Sequence, residues 1–467
     1  MAIFLIDAAV QNEVGTEYGI YFAIFNLSLI FSILFDFGIN NLSTKEAAQN
    51  LEVAKFQFTS IFSFRIVLML FYLIGLFCCN LYLRLSWVEY NLILILGLNQ
   101  FLIANIAYFR SFFAGLQWFR LDALFSVLDR ILLIFSMGYL IYLYPDGFKL
   151  VDIEVYALLQ FGTYALSFII AGSTIFLKVK PPMVVPKMAI VKSKVKQALP
   201  YALLIVLMTL YTRTDGIILK HLAGVEEASY YAQAYRLIDA LYMFAMLFAG
   251  LLFPMFAKMI KENPQGIGPL ITQASRLLLG SSLAFIVFSF ARGGALIDQI
   301  YSNTSVDSGS ILFLLSLAFL GMASNLVYGS LLTANGSLKV LNIISFIGLL
   351  LNITLNLILL PKVLNGGAVI AAGVAAITQL IVALVQAIYC KRLFSLAFKN
   401  PYFFSYPLFI FVLLLWYVFV DWTPIAYAFG NWILLIDALA ALILLLVFKF
   451  IDIKELLLLV QKRSKTQ

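Results

Sequence analysis

Residues 308–333 read SGSILFLLSLAFLGMASNLVYGSLLT, 26 residues without one Asp, Glu, Lys or Arg. A helix needs roughly 20 apolar residues to cross a hydrocarbon core of about 30 Å, and this run supplies them. It is too long for a buried strand and too evenly apolar for a helix with one face in water, so it predicts a transmembrane helix. Similar runs follow near 339–360, 366–389, 402–420 and 424–448, and precede it near 18–42, 60–82, 88–112, 121–144, 151–177, 197–221, 229–256 and 274–300. Ahead of them stands a shorter apolar fragment, Ala2 to Val10, too short to cross by itself. Counted as the remnant of a first crossing, it completes an all-α polytopic membrane protein of about 14 transmembrane helices.

Composition agrees. The chain of 467 residues is 63% hydrophobic and 12% charged, with a mean hydropathy of +1.00, an apolar excess that belongs against lipid. No hydrophilic connection exceeds roughly 20 residues, which excludes a folded soluble domain between spans. The net charge of +8 lies on short loops and not on an arm or stripe, so it reads as a topology determinant and implies no nucleic-acid partner. Cys78, Cys79 and Cys390 are too few and too apolar in setting for a disulfide framework or metal cluster, and His221 reads as interfacial. There is no phosphate-binding G-x-x-x-x-G-K-[ST] loop, no H-E-x-x-H and no nucleophile elbow. The chain is therefore not expected to be an enzyme or to carry a cofactor or metal, and active transport would draw on an ion gradient.

Counting loops alternately from a cytoplasmic amino terminus puts roughly twenty Lys and Arg inside against four outside, a positive-inside bias that leaves both chain ends cytoplasmic. The most basic connection holds Lys178, Lys180, Lys187, Lys192, Lys194 and Lys196 around Pro181, Pro182 and Pro186. It divides the chain into an amino-terminal lobe (1–177), a cytoplasmic linker (178–196), a second lobe (197–390) and two additional transmembrane helices with a tail (391–467). An internal repeat supports the halves: Gly15, Glu17, Gly19, Tyr21 and Ala23 match Gly224, Glu226, Ala228, Tyr230 and Ala232, each offset by 209. Six crossings separate the copies, so the repeats run parallel. Applying the offset to Gln197 puts the start of a full first helix about a dozen residues before Met1, so the first helix is expected to be shortened.

Ionisable side chains inside spans mark function, because each costs about 2.5–3.5 kcal/mol or more at mid-bilayer. Arg213 and Asp215 lie about nine residues below the outer end of one helix, Arg236 and Asp239 about as far down the next, and Arg292 about eight residues from the end of the following one; at 1.5 Å per residue these are similar depths. The three arginines predict a cationic zone lining a cavity. Arg236 and Asp239, three apart, can neutralise each other, whereas Arg213 and Asp215, two apart, face away from each other. Asp36, Asp129 and Arg130 are the comparable residues of the first half, and Asp129 and Arg130 can equally form an interhelical pair. Asn99, Gln100, Asn105, Asn352 and Asn356 read mainly as interhelical glue.

The run from Gly15 to Ala23 followed by Phe35-Asp-Phe-Gly38 resembles the opening of a polysaccharide flippase. Arg213-Thr-Asp215 through Gly224 to Ala234-Tyr-Arg-Leu237 is similar to that family's charged helix, short outer loop and next helix entry, as are Asn352, Asn356, Pro361 and the Gly366-Gly-Ala368 run with Ala371-Ala372. The resemblance covers nearly the whole chain and is to the polysaccharide transport branch, with its O-antigen flippases, of the multidrug/oligosaccharidyl-lipid/polysaccharide exporter superfamily. It implies two six-helix lobes around a central cavity plus two carboxyl-terminal helices, in the bacterial inner membrane. It also implies transfer of undecaprenyl-pyrophosphate-linked oligosaccharide from the cytoplasmic to the periplasmic leaflet, coupled to protons or sodium, with a polysaccharide polymerase as a possible partner. On this reading Arg213, Arg236 and Arg292 hold the pyrophosphate, and Asp36, Asp215 or Asp239 binds the coupling ion. The alternatives are a multidrug or cation antiporter of the same fold, which calls for an acidic cavity, and a membrane-embedded polymerase, which calls for a long outer loop.

Overall fold

The computed structural model describes residues 2–32, 35, 39–40, 43–44, 47, 51–83, 86–116, 118–143, 152–182, 188–363, 366–395, 404–423 and 430–450. Fourteen α-helices occur among them: α1 (Ala2–Val14), α2 (Tyr18–Ser32), α3 (Leu51–Leu83), α4 (Trp87–Gly115), α5 (Phe119–Gly138), α6 (Ile153–Lys178), α7 (Met188–Ala223), α8 (Val225–Glu262), α9 (Ile267–Ile300), α10 (Ser308–Ala334), α11 (Leu338–Leu359), α12 (Gly367–Leu393), α13 (Ser405–Trp422) and α14 (Ile433–Val447). Eleven stretches are long and apolar enough to cross a membrane, and Ile433–Val447 is a shorter apolar helix. This is the expected all-α polytopic architecture. Large apolar side chains such as Phe71, Leu70, Ile347, Leu384 and Leu439 are exposed on the helices, as lipid contact requires and water would not permit.

Local signals set the helix ends. Ser86 and Glu89 form a reciprocal capping box at the start of α4, and Asp152 accepts the Val155 amide at 2.6 Å to start α6. The basic linker behaves differently from its charge: α7 begins at Met188, so residues 188–196 are helix. Nothing after Pro186 breaks a helix there, and lysines are good helix formers.

The chain divides into two compact units, Met1–Ala232 and Gln233–Gln467. In the first, α7 sits with the amino-terminal helices instead of opening a separate body at Gln197. The reason is steric fit: a Cβ at Gly216 would meet the Phe22 ring at 2.7 Å and the Asn26 amide at 2.8 Å, so only glycine lets α7 close on α2. An aromatic core of Phe58, Tyr108, Phe109, Phe112, Phe113 and Phe125 ties α3, α4 and α5 together, with Phe58 and Phe112 edge to face at 5.2 Å.

The sequence repeat has a structural counterpart in this unit. Gly15 and Gly224 each take positive φ, +58° and +103°, in the turns that join α1 to α2 and α7 to α8. The two turns dock: Gln11 Nε2 donates to the Ser229 carbonyl at 3.2 Å, Ser229 Oγ donates to the Gly15 carbonyl at 3.3 Å, and a Cβ on Gly19 would overlap the Val225 carbonyl oxygen.

In the second unit, α10 and α12 pack closely enough that a Cβ on Gly321 would stand 2.6 Å from the Gln379 carbonyl carbon. Ala371, Ala372, Ala375 and Ala376 give α12 a small-residue face of the kind that lets membrane helices approach. The last two helices are bound to α9 through Phe409, Leu413 and Tyr417 of α13 and Leu434, Ala441 and Leu445 of α14, packed on Ala284, Val287 and Phe288.

Candidate functional site

Buried charge inside the helices is the feature that lipid contact and packing do not require, and each unit has its own arrangement. In the first unit Asp7 is buried on α1. It accepts hydrogen bonds from the Tyr18 hydroxyl at 2.7 Å and the Tyr156 hydroxyl at 3.1 Å. Tyr18, Tyr21 and Phe25 follow one face of α2 at helical spacing, as Tyr156 and Gln160 do on α6, so the three helices present a polar strip at one place. Tyr21 and Gln160 complete it, Tyr21 Oη donating to Gln160 Oε1 at 3.2 Å and lying 3.0 Å from Gln160 Nε2. The Tyr21 ring lies 5.3 Å from both the Tyr18 and the Tyr156 rings. The result is a carboxylate enclosed by hydroxyls and aromatic walls.

Asp215 is another buried carboxylate of this unit, 2% exposed on α7. The Tyr231 hydroxyl donates to its Oδ2 at 3.3 Å, and the Tyr231 ring stands 6.2 Å from Phe22. Arg213 is half-buried on the same helix, two residues earlier. Nearer the end of α7, Lys220 pairs with Glu89 of α4, both largely buried. The positive-inside count treats Lys220 as a bare loop charge, yet it is held by the carboxylate that caps α4.

Arg236 and Asp239 are half-buried on α8, in the part of it that belongs to the second unit. Arg292 of α9 is placed in specific company. Its Nε donates to Asp437 of α14 at 2.8 Å and its Nη2 to Asp421 of α13 at 2.6 Å. Asp437 also accepts from the Trp416 indole at 2.9 Å, and the guanidinium lies 5.6 Å from the Tyr417 ring centre. Of the three arginines read as one cationic zone, Arg292 therefore has two carboxylates of the carboxyl-terminal helix pair as its partners. Asp36 lies outside the described residues. Asp129 is half-buried and Arg130 exposed on α5.

Sequence reasoning passed over several charged residues within apolar runs, Asp437 of α14 among them. Asp7 lay in a fragment whose shortness drew the attention. Arg65 is fully buried on α3, donating to the Ala104 carbonyl at 2.8 Å and to Asn40 Oδ1 at 2.7 Å, with its guanidinium 4.5 Å from the Tyr108 ring centre. Arg110 of α4 pairs with Asp122 of α5 at 2.7 Å. Arg276 is buried on α9. The signal was available in each case: one charged letter inside an apolar run. Among the described residues no group of three or more His, Cys, Asp or Glu is placed to hold a metal.

Fold and site together define a polytopic membrane protein with an ionisable interior. Comparison with solved structures gives the same architecture. The chain is similar to "Lipid II flippase MurJ, inward closed conformation", at 18% identity and TM-score 0.74 over 98% of this chain and 97% of that one. It is similar to an inward-facing multidrug resistance MATE family transporter of the MOP superfamily, at 14% identity and TM-score 0.68 over 84% and 94%. It is also similar to a MOP superfamily transporter from Pyrococcus furiosus whose description notes reverse polarity of the binding pocket, at 15% identity and TM-score 0.57 over 85% and 94%. At these identities the likeness shows the fold alone. A search of curated proteins finds no match. The family model described as "Polysaccharide biosynthesis protein" matches residues 4–260, more than half of the chain. The chain belongs to the polysaccharide biosynthesis protein family.

Proposed function

We propose that this protein is a flippase that carries an undecaprenyl-pyrophosphate-linked oligosaccharide from the cytoplasmic to the periplasmic leaflet, driven by a proton or sodium gradient. The observation that carries the reading is the coincidence of a polysaccharide biosynthesis family with a flippase-type fold whose spans bury ionisable side chains. The cargo has a charged pyrophosphate that must leave water, a hydrophilic sugar and a lipid tail that can stay in the bilayer. Arg213 and Arg236 are the proposed pyrophosphate ligands, since guanidinium stays charged in a poorly solvated site and binds phosphate oxygens through paired hydrogen bonds. Asp215, Asp239 and Asp36 are candidates for the coupling ion, and Asp7 joins them because its hydroxyl donors can serve either protonation state of the carboxyl. Coupling requires that the ion prefer one conformation over the other.

The test is polymer display at the cell surface. Arg213→Ala and Arg236→Ala should each lower it by about 10- to 100-fold at normal protein level, the worth of one charge-assisted hydrogen-bonded contact. Arg→Lys should leave partial activity, and Lys192→Ala on the exposed start of α7 should be silent. Full display by both Ala variants at native expression sinks the arginine assignment, while uptake of a cationic drug that competes with display would favour the antiporter reading. The topology belongs to the same proposal, with both termini and the start of α7 cytoplasmic. A cysteine at Lys192 should resist labelling by a membrane-impermeant reagent outside intact cells, and efficient labelling there would reverse the orientation.

A further inference from the structure

We propose that Arg292 is a phosphate-binding site at one membrane face, held in reserve by Asp421. The two carboxylates on Arg292 are not equivalent. Asp437 is 0% exposed, accepts a hydrogen bond from Nε and is fixed from its other side by the Trp416 indole, so it is a permanent partner. Asp421 is 53% exposed and holds only Nη2, while the Arg292 side chain is 14% exposed. A permanent partner on Nε leaves the Nη1 and Nη2 edge of the fork, which is an edge that grips two phosphate oxygens at once. Asp421 occupies half of that edge with one oxygen.

An exposed carboxylate gains little from such a pair, and a two-oxygen phosphate contact exceeds it. The buried arm already neutralises most of the cost of enclosing Arg292, so losing Asp421 does not strand the cation. Position supplies the source of phosphate. Asp421 and the exposed Trp422 end α13, and the exposed Trp432 precedes α14, so two tryptophans stand at the end of the helix pair that carries the site. Tryptophan in that setting marks the level of lipid headgroups. The ligand is accordingly a phosphate group met at headgroup depth, on the carrier lipid or on a bulk phospholipid. In the exchange Asp421 swings into solvent, phosphate oxygens take its place on Nη1 and Nη2, and Asp437 stays on Nε.

The experiment measures binding by the purified full-length protein in detergent, so it does not depend on transport. A protein that binds but does not flip would sink the function proposed above and leave this site standing. Three probes are titrated separately by thermophoresis: undecaprenyl phosphate, phosphatidylglycerol and inorganic phosphate. Asp421→Asn, which removes the competing charge, should tighten phosphate-lipid binding by up to about fivefold, the range of an exposed ion pair. Arg292→Lys keeps a cation for Asp437 but loses the fork, and should weaken it. A preference for undecaprenyl phosphate assigns the site to the carrier, equal binding of phosphatidylglycerol to the bulk leaflet, and equal competition by inorganic phosphate to free phosphate. An unchanged or weakened affinity in Asp421→Asn, an unaffected Arg292→Lys, or no binding of any probe overturns the proposal. A merely structural bridge would lower thermal stability in Asp421→Asn and leave affinity unmoved.

Discussion

Asp7 in the first unit and Asp437 in the second are both buried carboxylates inside apolar helices, and their donors differ in kind. Two tyrosine hydroxyls serve Asp7, whereas a guanidinium and an indole serve Asp437. A hydroxyl can either donate or accept a hydrogen bond. A guanidinium and an indole only donate, and protonating Asp437 would waste one of them and leave Arg292 undercompensated. One setting suits a group that changes state during a cycle, and the other suits a fastener. Buried charge in this protein is thus not one phenomenon, and depth alone does not separate its two uses.

The comparison breaks most visibly if the two carboxylates are removed in turn. Asp437→Ala should cost about 3–5 kcal/mol, the penalty for stranding one partner of a buried ion pair, and should be read as a loss of folded protein on size-exclusion chromatography. Asp7→Asn keeps the shape and can still accept from a hydroxyl, so the protein should fold at near-normal yield while surface polymer falls. If Asp7→Asn aggregates and Asp437→Ala does not, the assignments are reversed. Smaller substitutions sharpen the contrast. Tyr18→Phe, Tyr156→Phe and Trp416→Phe each remove one donor, worth about 1–2 kcal/mol apiece. The two tyrosine changes should slow polymer display by more than their loss of melting temperature accounts for. The tryptophan change should lower the melting temperature and spare display.

Much of the fold was legible, and the reasons are local. The helix over 308–333 needs nothing but its own apolar run, and its observed bounds, Ser308–Ala334, differ by one residue. Where the reading and the structure part, the deciding information lies far along the chain. The lysines of 188–196 suggested a loop, but no Gly or Pro interrupts 188–199, and the helix runs from Met188 on through α7. Arg292 was visible as a cation in a span, yet its partners are 129 and 145 residues away. Asp437, standing alone in the apolar run 424–448, was the complementary charge that could have been matched to it. Arg65 shows the opposite limit: two of its partners, the Ala104 carbonyl and Asn40, advertise no charge. The repeat was the most informative long-range signal, because it aligned two glycines, Gly15 and Gly224, that both take positive φ.

The docking of those two turns bears on biogenesis. Gln11 and Ser229 are 218 residues apart in sequence, and Gly19 meets Val225 over a comparable gap. As the chain leaves the ribosome, α1 and α2 enter the membrane long before the segment that covers their turn has been made. The first unit therefore cannot finish assembling until α7 and the start of α8 have inserted. Until then the Gly19 face and the Gln11 amide stand open in the bilayer, to be shielded by lipid, by an insertase or by the later helices as they arrive. Synthesis that stalls before α8 would leave an incomplete hairpin for membrane quality control to clear.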